Sequence, residues 1–135
     1  YGMMQRGFGR IVNITSQSVK APIASLELSN GARMGLTGAV AVLARKASRN
    51  NVTINAILPG PFDTDRLRST TQKMAEARKV ALSVVEAERK ASVPAGRFGN
   101  AEEFGAVVAF LCSVHAGYVT GQNLLIDGGG YPGSL

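Results

Sequence analysis

Among its 135 residues the chain has a single cysteine, a single histidine and no tryptophan. Cys112 has no partner for an intramolecular disulfide, and its place in the apolar run VVAFLC reads as a small core residue rather than a reactive thiol. His115 has no second ligand at metal or triad spacing, so it reads as an exposed helix-end residue. Aromatic residues are only 6% of the chain, and none is interleaved with basic residues as a stacking platform. That absence counts against nucleic acid even though Lys and Arg exceed Asp and Glu by 15 to 9. The cations are scattered and mixed with acids after Asp63, the pattern of a solvated helix face. The longest apolar runs, such as 106–112, fall far short of the roughly 20 residues that span a bilayer, and no signal-peptide pattern opens the chain. The expectation is a soluble cytoplasmic protein with neither a membrane nor a nucleic-acid partner.

What is present is an ordinary globular composition, 45% hydrophobic and 18% charged, in a length that suits one domain. Residues 1–8 resemble the last turns of a helix with Gly7 at a left-handed cap, which suggests a segment upstream. Residues 9–15 carry the β-branched run IVNI and predict a short buried strand of the kind found in parallel sheets. Residues 19–25, with Pro22, predict an irregular loop. From 26 to 48, Leu28, Ala32, Leu36, Ala39, Val40, Leu43 and Ala44 recur at helical spacing. Gly31, Gly35 and Gly38 on nearly one face of that helix suggest close packing of another helix, within the chain or from a second subunit. VTINAIL at 52–58 predicts a second buried strand, ended by Pro59-Gly60-Pro61. Strand, long helix and strand in that order form a parallel crossover. Residues 63–94 are polar and Ala-rich and predict two short helices in a flap. A helix follows at 101–113 with Asn100 as N-cap, then a third strand at 121–127 and a glycine-rich tail at 128–135.

Four stretches in order, GRIVNITS, LARKASRNNVTINAILPGPFDTD, PAGRFGNAEEFGAVVAFLCS and GYVTGQNLLIDGG, resemble the C-terminal half of the short-chain dehydrogenase/reductase family, nearest its 3-oxoacyl-carrier-protein reductase-like members. The resemblance implies an α/β fold, the C-terminal half of a Rossmann-type doubly wound parallel sheet, with three parallel strands and flanking helices. Residues 1–135 would be a single partial domain of that type, with 65–94 as substrate-flap helices. The implied cofactor is NAD or NADP. The family's glycine-rich turn for the pyrophosphate does not occur in this sequence, so most of the adenosine site is not encoded in these residues.

In the family a Ser at the strand end binds the substrate carbonyl, a Tyr thirteen positions later donates the proton, and a Lys four positions after the Tyr binds the nicotinamide ribose. A gapless alignment puts Ser16 at the Ser position, Ser29 where the Tyr should be and Arg33 where the Lys should be. A three-residue gap would instead place Leu26 and Asn30 at the last two. A phenol, with a pKa of roughly 10, is brought toward neutrality by a nearby cation, whereas an alkyl hydroxyl is a far weaker acid. A guanidinium keeps the charge and the donors but does not exchange a proton near neutrality. The proton step is therefore the part of the family mechanism that does not transfer intact. Pro59, Gly60, Phe62 and Thr64 match the family's PGxxxT loop and imply contacts to the nicotinamide carboxamide and phosphate. Asn55 matches a residue that braces its strand, and Asp127-Gly128-Gly129 a fold-stabilising terminus.

The expected function is that of an NAD(P)-dependent oxidoreductase acting on a ketone or secondary alcohol, with an atypical Ser16, Ser29, Arg33 centre. The alternatives are a non-catalytic dinucleotide-binding or assembly member, or an inactive fragment. The implied partners are a small carbonyl substrate and another copy of the chain, as a homodimer or homotetramer formed through the 26–48 helix.

Overall fold

The structure is a computed structural model and describes residues 1–24 and 26–133. Ser25, in the predicted 19–25 loop, and the last two residues of the tail lie outside the described residues. A one-turn helix α1 (Gly2–Gln5) leads through Gly7, at φ +65°, into strand β1 (Gly9–Ile14). Helix α2 (Glu27–Ala47) crosses to β2 (Val52–Pro59). Helices α3 (Asp65–Arg78), α4 (Leu82–Ala91) and α5 (Ala101–Cys112) precede β3 (Asn123–Ile126). The sheet order is β1-β2-β3, all parallel, with Gly9 opposite Val52, Ile14 opposite Ile57 and Pro59 opposite Ile126.

The chain is organised on β2, whose residues from Val52 to Leu58 are all buried. Side chains alternate along a strand. Val52 and Ile54 pack against Ala44 and Ala47 of α2, with Ile11 and Val40 at the margin. On the alternate positions Thr53, Asn55 and Ile57 are also buried, so both faces of the strand are covered. The buried Asn55 amide is bonded at both ends: Nδ2 donates to the Val119 carbonyl at 2.8 Å and Oδ1 accepts from Gln122 N–H at 3.0 Å. It braces the approach to β3, the structural role its position implied.

Three expectations differ in detail. β1 is less buried than its apolar run suggested, with Ile14 59% exposed, because it has a neighbour on one side only among the described residues. Cys112 is exposed: Leu111 takes the inward position at the end of α5, and the next residue lies about 100° round the helix. A Cβ built at Gly31, Gly35 or Gly38 meets nothing within 4 Å, so among the described residues no helix packs closely on that face of α2.

Candidate functional site

Parallel strands gather their C-terminal ends at one edge of the sheet, the position where open α/β sheets bind ligands. Thr15 N–H donates to the Ile57 carbonyl at 2.9 Å and Gly60 N–H to the Ile126 carbonyl at 2.9 Å, carrying the ladder slightly beyond the strands on both sides of β2. Ser16 and Pro59 thus each stand two residues beyond the paired Ile14 and Ile57. Both line a cleft of about 780 Å³, together with Gln17, Gly60, Phe62 and Thr64. The other wall comes from α3, α4 and the start of α5 and includes Arg66, Leu67, Arg89 and Phe104.

Ser16 is placed by its backbone. It is the N-cap of a single 3-10 turn, Gln17–Val19, and its Oγ accepts from Ser18 N–H at 3.1 Å. That bond uses a lone pair and leaves the O–H to donate. Thr64 repeats the arrangement at the start of α3, its hydroxyl oxygen accepting from Leu67 N–H at 3.2 Å. Gly60 has to be glycine here, since a Cβ would lie 2.7 Å from Asp127 Cα. Phe62 is held edge-on against Phe104, with centroids 5.5 Å apart and planes at 86°. It also lies so close to Gly99 that a Cβ there would come within 2.6 Å of the ring.

The other two members of the expected centre lie off the cleft lining. Ser29 and Arg33 share one face of α2 at i, i+4 spacing, and Arg33 Nε donates to Ser29 Oγ at 3.1 Å. Arg33 Nη1 donates to the Thr15 carbonyl at 2.7 Å. The guanidinium therefore ties α2 to the backbone one residue before Ser16. Asn30, of the gapped alignment, is buried and donates to the Ile23 carbonyl at 2.8 Å. Lys20 Nζ sits 5.6 Å from the ring centre of Tyr131, and the Asp127 carboxylate accepts from Gly129 and Tyr131 N–H. Among the described residues no group of His, Cys, Asp and Glu is placed to hold a metal. No described helix is long and apolar enough to cross a membrane.

Sequence reasoning named 65–94 as a flap over the substrate but not the side chains that line the far wall. Gln17 was within reach as the neighbour of Ser16, but Arg66, Arg89 and Phe104 are distant in sequence and join the site only through the α3–α4 hairpin and the capped start of α5. That start is a capping box: Asn100 Oδ1 accepts from Glu103 N–H at 2.8 Å and Glu103 Oε2 accepts from Asn100 N–H at 3.0 Å. Arg97 adds two bonds to the same carboxylate. Together they hold Glu103 down at a pKa of about 2.

A parallel α/β unit with a hydroxyl, a Pro-Gly turn and a helix start grouped at its strand ends is the architecture of half a Rossmann-type fold. A profile of the family described as enoyl-(acyl carrier protein) reductase matches residues 1–130. The chain belongs to this family, within the short-chain dehydrogenases/reductases. It is 35% identical over 131 residues to acetoacetyl-CoA reductase of Rhizobium meliloti, covering 96% of this chain and 50% of that protein. It is 38% identical to 3-oxoacyl-[acyl-carrier-protein] reductase FabG of Pseudomonas aeruginosa, covering 96% of this chain and 48% of that protein. The crystal structure of YwfH, an NADPH-dependent reductase involved in bacilysin biosynthesis, superposes with a TM-score of 0.89 at 32% identity. That match covers 97% of this chain and 50% of YwfH. The chain thus spans about half the length of the relatives it matches.

Proposed function

We propose that the full-length protein is an NAD(P)-dependent oxidoreductase that interconverts a ketone and a secondary alcohol, in the manner of a 3-oxoacyl reductase. The observation that carries this reading is the placement of Ser16 in one cleft with the Pro59–Thr64 turn, at the C-terminal ends of parallel strands. The residues present fit the nicotinamide end of a dinucleotide. Pro59, Gly60 and Phe62 shape a wall, and Thr64 brings a hydroxyl and the N-terminus of α3. A reduced nicotinamide supplies the hydride that adds to the carbonyl carbon. Ser16 O–H would donate to the carbonyl oxygen and stabilise the charge that develops there.

The proton that completes the alcohol is the unusual element. Ser29, bonded to Arg33, would anchor a water rather than reach the oxygen itself. Arg33 would contribute fixed positive charge beside the ribose while holding the backbone at Thr15. Residues 65–94 would form the flap over the substrate. The reading goes with a cytoplasmic location and with a homodimer or homotetramer formed through α2. That helix exposes Leu28, Met34, Leu36 and Leu43 beside its glycine face.

The test is turnover by the full-length protein with 3-oxoacyl thioesters and simple ketones, using NADH and NADPH in turn. Turnover is expected, and Arg33→Ala combined with Ser29→Ala should lower kcat. An unchanged rate in that double variant removes both residues from the centre. A second reading, a dinucleotide-binding protein without turnover, is favoured by one observation: neither Ser29 nor Arg33 lines the cleft. Cofactor binding without oxidation or reduction of any member of the panel would select it.

A further inference from the structure

The flap has an uneven charge pattern. Away from the cleft Arg68 is neutralised by Asp63 and Asp65, Arg78 by Glu88, Lys90 by Glu86, and Arg97, just past the flap, by Glu103, while Lys73 and Lys79 have no ion pair among the described residues. The two cations that line the cleft, Arg66 and Arg89, have no carboxylate partner among the described residues. Asp63 also lines the cleft, but its Oδ1 already accepts from Arg68 Nη1 at 2.7 Å.

Arg89 is also held in place. Its Nη1 donates to Thr71 Oγ1 at 2.5 Å, to Thr70 Oγ1 at 3.1 Å and, more weakly, to the Leu67 carbonyl at 3.4 Å. All three bonds use one nitrogen, and none of the bonds recorded among the described residues uses Nε or Nη2. A guanidinium fixed at one corner loses little further entropy when its remaining donors meet a planar anion, and two parallel N–H groups suit a carboxylate. Arg66 precedes Thr70 by one helical turn on the same face of α3, so its charge reinforces the same wall. The opposite wall carries Ser16.

We propose that this wall is a substrate-anion site and that the substrate is an oxo acid. Its carboxylate is held by Arg89, with Arg66 adding charge, while its carbonyl faces Ser16. The inference rests on the oxidoreductase reading and narrows it to a substrate class.

The full-length protein is assayed with NADPH on short oxo acids and on the methyl ester of each, which removes the charge and keeps the ketone. The wild type should prefer acid over ester by about tenfold or more in kcat/KM, the worth of one charge-assisted hydrogen bond. Arg89→Met should abolish most of that preference, chiefly through KM, and Arg89→Lys should restore part of it. Arg66→Gln removes charge without breaking any bond of the flap, so it reduces the preference even if Arg89→Met misfolds. Equal use of acid and ester by the wild type overturns the proposal. So does a preference untouched in folded Arg89→Met, or a rise in the NADPH Kd in both variants with the preference intact, which would assign the cations to the cofactor. If no ketone is turned over, the oxidoreductase reading fails, and calorimetric titration with the oxo acids decides the wall by itself. Binding by the wild type that Arg89→Met loses supports the anion site, and equal or absent binding rejects it.

Discussion

Several of the side chains that fix the geometry of the site are hydrogen-bonded polar groups. Asn55 is the clearest. Replacing it by Ala would leave the part-buried carbonyl of Val119 and N–H of Gln122 without these bonds, a loss of about 1–3 kcal/mol in stability, measurable by urea denaturation. Leu58, fully buried on the same strand, should cost about 2–5 kcal/mol as Leu58→Ala, because the packed sheet has little room to collapse onto the void. The role of Asn55 was legible in the sequence because it sits in a quoted strand motif. The exposure of Cys112 was not, since an apolar run such as VVAFLC does not say which residue of the last turn faces inward. Ser16, at a strand end, could be placed through its family resemblance. Whether Ser29 faces the cleft could not, because that depends on how α2 rotates against β2.

At the scale of elements, boundaries followed capping chemistry. The start of α5 was readable from Asn100, and the Glu103 return bond completes the box. Asn100→Ala should cost about 1 kcal/mol and fray the turn that carries Phe104 against Phe62. Glu103 has its folded pKa pulled down, to about 2, first by the bonds from Arg97 and then by the Asn100 N–H. The unfolded chain therefore binds this proton at a higher pH than the folded one. The stabilisation is complete above the ordinary carboxylate range, near 4.5, and is lost as the pH falls toward 2. Acid titration followed by circular dichroism should show this loss, and Glu103→Gln should flatten that part of the curve. The α3–α4 hairpin obeys the same rule, since Arg78 lowers the pKa of Glu88 across its two helices. The existence of two helices there was legible from composition. The ion pair that joins them, ten residues apart in sequence, was not.

For the molecule as a whole, parallel order and strand count followed from the alternation of buried strands with a long helix, because a parallel pair needs such a crossover. What lies against α2 is a question of assembly. Gly35→Ala discriminates. With the helix face open, the substitution should stabilise the protein by about 1 kcal/mol through helix propensity. With a second copy packed at Gly31, Gly35 and Gly38, it should weaken the oligomer seen by light scattering, and the self-assembly proposed above predicts the second result. The central claim is that the cleft at the strand ends reduces a carbonyl with Ser16 as its oxyanion donor. Its most direct test is NADPH oxidation by the full-length protein with acetoacetyl-CoA and, in parallel, with the free short oxo acids. The expected result is substrate-dependent oxidation whose kcat falls by about 10²–10³ in Ser16→Ala while NADPH still binds. No oxidation by the wild type, or a full rate in Ser16→Ala, would contradict it.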